Sequence, residues 1–150
     1  MGLMHSLQIS ASALMAQRLR MDVIANNVAN QTTTRTAGGG PYKHQSVTFE
    51  EQRAGAPFRD ALGRASERSG GAGGGVRVRA IVDDDSPARR VHDPKHPDAD
   101  ADGYVLLPNI DVISEMTDLV SARRAYEASV TVLNATKSLA LRALDLGRGT

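Results

Sequence analysis

Apolar side chains recur with a helical period at both ends of the chain. Near the amino terminus, the side chains that share one face at this spacing are Leu7, Leu14, Met21, Ile24 and Val28. No glycine or proline occurs between Leu3 and Ala37, and both residues are unfavourable inside a helix. The spacing therefore predicts an amphipathic helix from about Leu3 to Ala29. Weak helix formers are expected to end it, namely Asn26, Asn27 and Asn30.

A second apolar stripe occupies the carboxyl-terminal third of the chain. Its members are Val112, Met116, Leu119, Tyr126, Val130, Leu133, Ala140 and Leu144. We expect this helix to begin near Asn109 or Asp111, either of which can cap the first turn, and to end at Gly147. Arg123 interrupts the stripe. It either lies on a solvated face beside Glu127 or fixes the register between helices, and the spacing leaves both alternatives open.

The middle of the chain has a different composition, because all six prolines and eleven of the fourteen glycines lie within residues 37–108. Alternating apolar and polar residues predict short strands, at Ser46–Glu50, Val76–Val82 and Tyr104–Leu107. Glycine-rich residues 70–75 read as a flexible linker. The expected organisation is an amino-terminal helix (1–36), a loop-rich middle (37–108) and a carboxyl-terminal helix (109–150). The predicted fold class is mainly α, with long terminal helices that pack as a coiled-coil-like assembly core and short β-strands in the middle.

The apolar stripes of two such long helices must be buried against something. Only 5 of the 150 residues are aromatic, so the side chains that bury the most area are scarce. The stripes can pair within one chain as a helical hairpin, or between neighbouring molecules as an oligomeric assembly. The spacing supports both arrangements equally.

Charge and composition narrow the function classes. With 18 basic and 17 acidic residues the net charge is +1, which argues against a dedicated nucleic-acid binder. The chain has no cysteine, so disulfides, thiolate zinc sites and cysteine nucleophiles are excluded. The first 20 residues do not have the apolar core of a cleaved signal peptide. No phosphate-binding loop or nucleophile motif is present, so we predict no catalytic residue and no cofactor.

The strongest metal candidate is the acidic segment Asp98–Gly103, whose alternating aspartates match the start of a calcium-binding loop. The twelfth position of such a loop would be Asn109, which cannot supply a bidentate carboxylate. His92 and His96 lie nearby, but prolines follow at residues 94 and 97 and prevent a fixed helical spacing. An acidic turn before the last strand is therefore favoured. A metal-binding module at Asp98–Asp102 is one alternative function, and a cytosolic helical-hairpin adaptor is another.

Several segments resemble bacterial flagellar rod and hook proteins. The first two are Ile9–Leu14 and Gln17–Asn30, and the second ends in Asn-Asn-Val-Ala-Asn. Segments that are similar to proximal rod subunits within this family are Thr33–Tyr42, Asp93–Asp98, Asp102–Asn109, Ser121–Ala128 and Leu133–Lys137. Residues 55–75 depart from the family pattern because they are rich in glycine and arginine.

The resemblance implies a non-enzymatic structural subunit of the rod, which spans the periplasm and transmits motor torque for swimming. It implies export through the flagellar type III apparatus without a cleaved signal peptide, and neither a small-molecule substrate nor a nucleic-acid partner. The implied partners are further copies of the chain, other proximal and distal rod subunits, and the adaptor that joins the rod to the MS ring. The residues expected at the assembly interface are Leu7, Leu14, Met21, Ile24, Asn26, Asn27, Val28, Asn30, Met116, Leu119, Arg123, Tyr126, Val130, Leu133 and Leu144.

Overall fold

The computed structural model describes residues 2–52 and 74–147. It contains two long terminal helices and, between them, two separate two-stranded antiparallel sheets. In chain order the elements are α1 (Leu3–Ala29), β1 (Gln45–Glu51), β2 (Val76–Asp83), β3 (Arg89–His92), β4 (Tyr104–Leu107) and α2 (Val112–Gly147). The predicted fold class is confirmed. Residues 53–73, which include most of the predicted glycine linker, lie outside the described residues.

The two helices pack against each other in antiparallel orientation within one chain. Asn27, near the end of α1, contacts Glu115 in the first turn of α2. Arg20, two turns earlier in α1, pairs with Asp118, one turn later in α2. Part of each apolar stripe is therefore buried within the single chain, in the arrangement of a helical hairpin.

Asp111 directly precedes α2 and caps its first turn. It is one of the two residues that were predicted as caps. Its carboxylate accepts hydrogen bonds from the backbone N–H of Ile113 at 3.2 Å and from the Ser114 hydroxyl at 2.6 Å. These bonds favour the charged form and lower the pKa of the Asp111 carboxyl below its usual value. The negative charge also complements the amino-terminal end of the helix dipole.

The hairpin β1–β2 lies along α1 and is fastened to it where β2 begins. The backbone N–H of Val76 donates to the Ser12 hydroxyl at 3.1 Å. A Cβ atom on Gly75 would lie 2.4 Å from Ser12 Oγ, and Gly75 has a φ of +118°. Only glycine adopts this backbone region without strain, so Gly75 permits the close approach of strand and helix. The register of the hairpin shifts between Thr48 and Phe49.

The second hairpin contains a strand that the sequence analysis missed. In β3, the segment Arg89–His92 pairs with β4, Tyr104–Leu107. The turn between them is built by Asp100, whose Oδ1 accepts the backbone N–H groups of Asp102 at 3.0 Å and Tyr104 at 2.7 Å. Gly103 completes the turn with a φ of +77°.

The hydrophobic core of the described residues is small. Its buried apolar members are Ala16, Val23, Ile24, Val105, Pro108, Ile110 and Ala122. Within the described part of the chain, neither helix combines the length and apolar character needed to cross a membrane. A core of this size leaves many large apolar side chains of both helices at the surface.

Candidate assembly interface

A buried cluster of polar side chains joins α1, β1 and α2 at the closed end of the hairpin. We call it the polar junction, and its members are Asn27, Tyr42, His44, Gln45 and Glu115. Asn27, only 1% exposed, lies at its centre. The Asn27 side-chain amide donates to the backbone carbonyl of Gln45 at 2.8 Å and to the Glu115 carboxylate at 3.0 Å. Its oxygen accepts from the Gln45 backbone N–H at 3.0 Å and from the Tyr42 hydroxyl at 3.1 Å. Asn27 thereby uses all of its hydrogen-bonding capacity.

Glu115 brings a carboxylate into the interior of the polar junction. Its residue is 7% exposed, which is rare for glutamate. One carboxylate oxygen accepts from Asn27, and the other lies 3.0 Å from His44 Nε2. Burial and the negative charges of Asp83 and Glu115 raise the pKa of the Tyr42 hydroxyl, so this group keeps the proton that it donates. The cluster satisfies its polar groups internally and holds the start of α2 against α1.

The other two asparagines of the Asn-Asn-Val-Ala-Asn motif end α1. Asn30 Nδ2 donates to the Asn26 carbonyl and to the Asn26 side-chain oxygen, both at 2.9 Å. The Thr33 hydroxyl donates to Asn30 Oδ1 at 3.1 Å. Asn26 also donates to the Tyr42 hydroxyl at 3.2 Å. These bonds turn the chain away from the helix axis and return it to the start of β1.

The structure places most of the predicted interface residues of α1 on partly buried positions. Ile24 is buried, Asn26 is exposed, and the half-buried members are Leu7, Leu14, Met21, Val28 and Asn30. Asn27 is buried inside the chain. Whether these side chains also contact neighbouring molecules stays a prediction.

One face of α2 is at least partly buried along most of its length. The positions on this face, which we call the α2 seam, are Val112, Glu115, Leu119, Ala122, Tyr126, Ser129, Val130, Leu133, Thr136 and Ala140. Their spacing of three and four residues is that of a helix packed along its length against a partner. The predicted interface residues Leu119, Tyr126, Val130 and Leu133 belong to it. Arg123 is exposed and pairs with Glu127 on its own helix at 2.9 Å.

The last two turns of α2 continue the α2 seam, and no side chain of residues 2–52 or 74–147 covers them. Every residue from Leu141 to Gly147 is exposed, and we call this segment the α2 overhang. At 100° per residue, Leu144 lies on the same side of the helix as Leu133 and Tyr126, yet it is 65% exposed. Leu146 is 85% exposed. The apolar pattern of α2 thus continues past the last position that the described residues at least partly bury, which is Ala140.

A second apolar surface lies on the outer side of α2 near its start. It is a shallow groove lined by Ile113, Met116 and Val120, with Arg124 at its edge. Ile113 is 77% exposed. Met116, one of the predicted interface residues, therefore faces away from α1. We call this surface the outer groove. The outer groove and the α2 overhang are both exposed apolar patches of the described residues, and such patches are typical of interaction surfaces.

The acidic segment forms the turn that was favoured over a metal site. Hydrogen bonds from the backbone of Tyr104 and Asp102, with the nearby Arg90 guanidinium, lower the pKa of the Asp100 carboxyl. Asp98 accepts a hydrogen bond from the Thr34 hydroxyl at 2.7 Å. Over residues 2–52 and 74–147, no three histidine, aspartate or glutamate side chains are grouped so that they could hold a metal ion.

The sequence analysis missed three members of the polar junction: Tyr42, His44 and Gln45. Glu115 was also not predicted to be buried. A usable signal was present, because Glu115 precedes Leu119 by four residues and Ala122 by seven and so lies on the same face of the helix. A charged residue at such a position indicates a buried partner.

Comparison with known proteins identifies the class to which this fold and surface belong. Residues 7–35 match the family model described as flagella basal body rod protein. Residues 101–146 match the model described as flagellar basal body rod FlgEFG protein C-terminal. The two matches cover most of α1 and α2, the helices that carry the apolar stripes. The protein is thus of the flagellar rod class.

Relatives of nearly the same length narrow this class. The chain is 47% identical to flagellar basal-body rod protein FlgC of Bacillus subtilis, over 96% of this chain and 97% of the relative. It is 44% identical to FlgC of Borreliella burgdorferi, over 99% and 100%. It is 38% identical to FlgC of Salmonella typhimurium, also over 99% and 100%. The chain belongs to the FlgC family of flagellar basal-body rod proteins.

Proposed function

We propose that this chain is a structural subunit of the flagellar basal-body rod and that it acts by packing its helices against neighbouring rod subunits. The observation that carries the proposal is the α2 overhang, where Leu144 continues the buried face of α2 and Leu141 flanks it, yet both are exposed. Burial of one leucine side chain contributes about 1.5–3 kcal/mol. Several such contacts on every subunit would drive assembly.

We further propose that the subunit lies in the proximal rod, spans the periplasm with it and transmits motor torque without performing catalysis. Its proposed partners are further copies of itself, other proximal and distal rod subunits, and the adaptor between the rod and the MS ring. Closely packed interiors have low compressibility, so helices packed side by side resist the twisting load. We also propose that the flagellar type III apparatus exports the subunit without a cleaved signal peptide.

The test is a charge placed on the α2 overhang. In Leu144→Asp the new carboxylate is solvated in the free chain, because Leu144 is exposed there, so the isolated protein should keep its helix content. In the assembled rod the same charge would be buried without a partner, which is strongly unfavourable. We expect loss of swimming in soft agar and absence of the variant from purified basal bodies.

The matched control is Ser138→Asp, which introduces the same charge at an exposed position of α2. On a helical projection Ser138 lies more than a right angle away from Leu144. We expect it to swim and to enter basal bodies. Normal swimming and incorporation of Leu144→Asp would contradict the proposal, as would equal loss in both variants.

A further inference from the structure

The apolar contact between α1 and α2 repeats with a period that does not by itself define one alignment of the two helices. On α1, Leu7, Leu14 and Met21 are seven residues apart. On α2, Leu119, Tyr126 and Leu133 have the same spacing. A shift of one helix past the other by seven residues, about 10.5 Å, sets apolar side chains against apolar side chains again. Such seams are prone to adopt alternative registers unless something opposes them.

The polar junction does not repeat in this way. In the observed alignment Asn27 faces Glu115. A shift of seven residues would set Asn27 opposite Ala122, or Glu115 opposite Arg20. Either shift breaks the bond between Asn27 and Glu115 and removes the Glu115 carboxylate from His44, which now lies 3.0 Å away. In the first shift the buried Glu115 carboxylate loses both partners, which is strongly destabilising. In the second shift Arg20 replaces these partners, but the buried Asn27 amide loses its acceptor, and an unsatisfied buried donor is costly.

The other polar contact between the helices is weaker. Arg20 and Asp118 lie 3.2 Å apart, with side chains that are 31% and 55% exposed. Exposed ion pairs contribute little to stability because solvent screens them. Arg123, which could have fixed the register, instead pairs with Glu127 of its own helix. Among the described residues the polar junction is therefore the feature of the helix pair that discriminates best between registers.

We propose that Asn27 and Glu115 are positioning residues that set the register between α1 and α2. In coiled coils, a single buried polar residue in an apolar seam selects one alignment at a cost in stability. Here the selected alignment also determines how far the α2 overhang extends beyond α1. This consequence for assembly rests on the proposed function, whereas the register itself is a property of the isolated chain.

The test measures the distance between spin labels placed on α1 and α2. The chain has no cysteine, so the substitutions Gln8→Cys and Thr117→Cys, both at exposed positions, create unique labelling sites. Double electron–electron resonance on the otherwise unchanged chain should give one narrow distance. The added double substitution Asn27→Leu and Glu115→Leu replaces the two members of the polar junction that lie on the helices with apolar residues. We expect a second distance that differs by about 10 Å, one heptad along the helix axis.

Three further variants separate the effect on register from the effect on stability. Glu115→Gln keeps the shape and can still accept from Asn27, so it should retain the single distance. Arg20→Ala with Asp118→Ala removes the exposed ion pair and should also retain it. Glu115→Leu alone provides a milder form of the main variant and should broaden the distance in the same direction.

The proposal is overturned if the folded apolar variants keep the single original distance, because the loop before α2 would then hold the register without the polar junction. It is also overturned if both apolar variants lose cooperative unfolding altogether, since the junction would then contribute to stability and not to alignment. Neither result depends on rod assembly, so failure of this proposal is distinguishable from failure of the proposed function.

Discussion

Truncation of Asn27 should be among the most damaging single changes in this protein. Asn27→Ala removes four hydrogen bonds, at 2.8, 3.0, 3.0 and 3.1 Å. A bond between neutral groups contributes about 0.5–1.5 kcal/mol and one to a charged group about 1.5–3 kcal/mol. Three of the first kind and one of the second give a sum of about 3–7.5 kcal/mol. Water that enters the space recovers part of this, so we expect a loss of about 3–5 kcal/mol.

The measurement is urea unfolding followed by far-UV circular dichroism, with the free energy obtained by linear extrapolation. The matched control is the adjacent Asn26→Ala. The Asn26 side chain donates to Tyr42 at 3.2 Å and accepts from Asn30 at 2.9 Å. Both bonds are exposed and compete with water, so we expect a loss of about 1 kcal/mol. Comparable losses in the two variants would refute the reasoning, because burial of the asparagine would then have no energetic consequence.

A double-mutant cycle locates the energy within the polar junction. Asn27→Ala is measured again in a Glu115→Ala background, in which the acceptor of the bond between Asn27 and Glu115 is absent. Residues in direct contact within one network show coupling of about 0.5–3 kcal/mol. We expect a coupling at the upper end of that range, since the bond removed goes to a buried carboxylate. Strict additivity would show that Asn27 and Glu115 act independently.

Two further predictions concern the attachment of β2 and the start of α2. Gly75→Ala should lower stability by about 2–4 kcal/mol because it combines an unfavourable φ with a clash against Ser12. Ser12→Ala in the same chain removes the Oγ atom of the clash but also the hydroxyl that accepts from Val76 N–H. The φ cost stays, so the urea midpoint should recover only in part. Asp111→Ala should lower the urea midpoint at neutral pH. Because the pKa of Asp111 is depressed in the folded state, its contribution is present above the unfolded pKa and is lost as the pH falls through the folded pKa. The difference from the unchanged chain should therefore vanish in strong acid.

The helices were predictable because their signals are local. Seven-residue spacing of leucines and the absence of glycine and proline placed α1 at its observed bounds and α2 within a few residues of them. Asp111 as the cap of α2 was also predictable from residue type. By contrast, β3 contains a single apolar residue, Val91, in the segment Arg89–His92. It exists as a strand because β4 pairs with it and because Arg90 lies 4.4 Å from the centre of the Tyr104 ring.

The polar junction was not predictable as a site because its members are distant in sequence. Asn27 and Glu115 are 88 residues apart, and His44 and Glu115 are 71 apart. A single amino-acid sequence does not show that side chains so far apart along the chain come into contact. From the sequence, the asparagine motif predicts only the end of α1 and a contribution to the assembly interface. The structure assigns termination to Asn30 and Asn26 and places Asn27 inside the chain.

The pairing of β1 with β2 has a consequence for changes in chain length. Glu51 pairs with Val76, and the Gln52 N–H donates to the Gly75 carbonyl at 2.8 Å. The two described ends of the chain therefore lie side by side at this point, and the free energy of closing a chain between two fixed ends rises only slowly with its length. Insertions between these two ends should therefore change the free energy of unfolding far less than insertions within either helix.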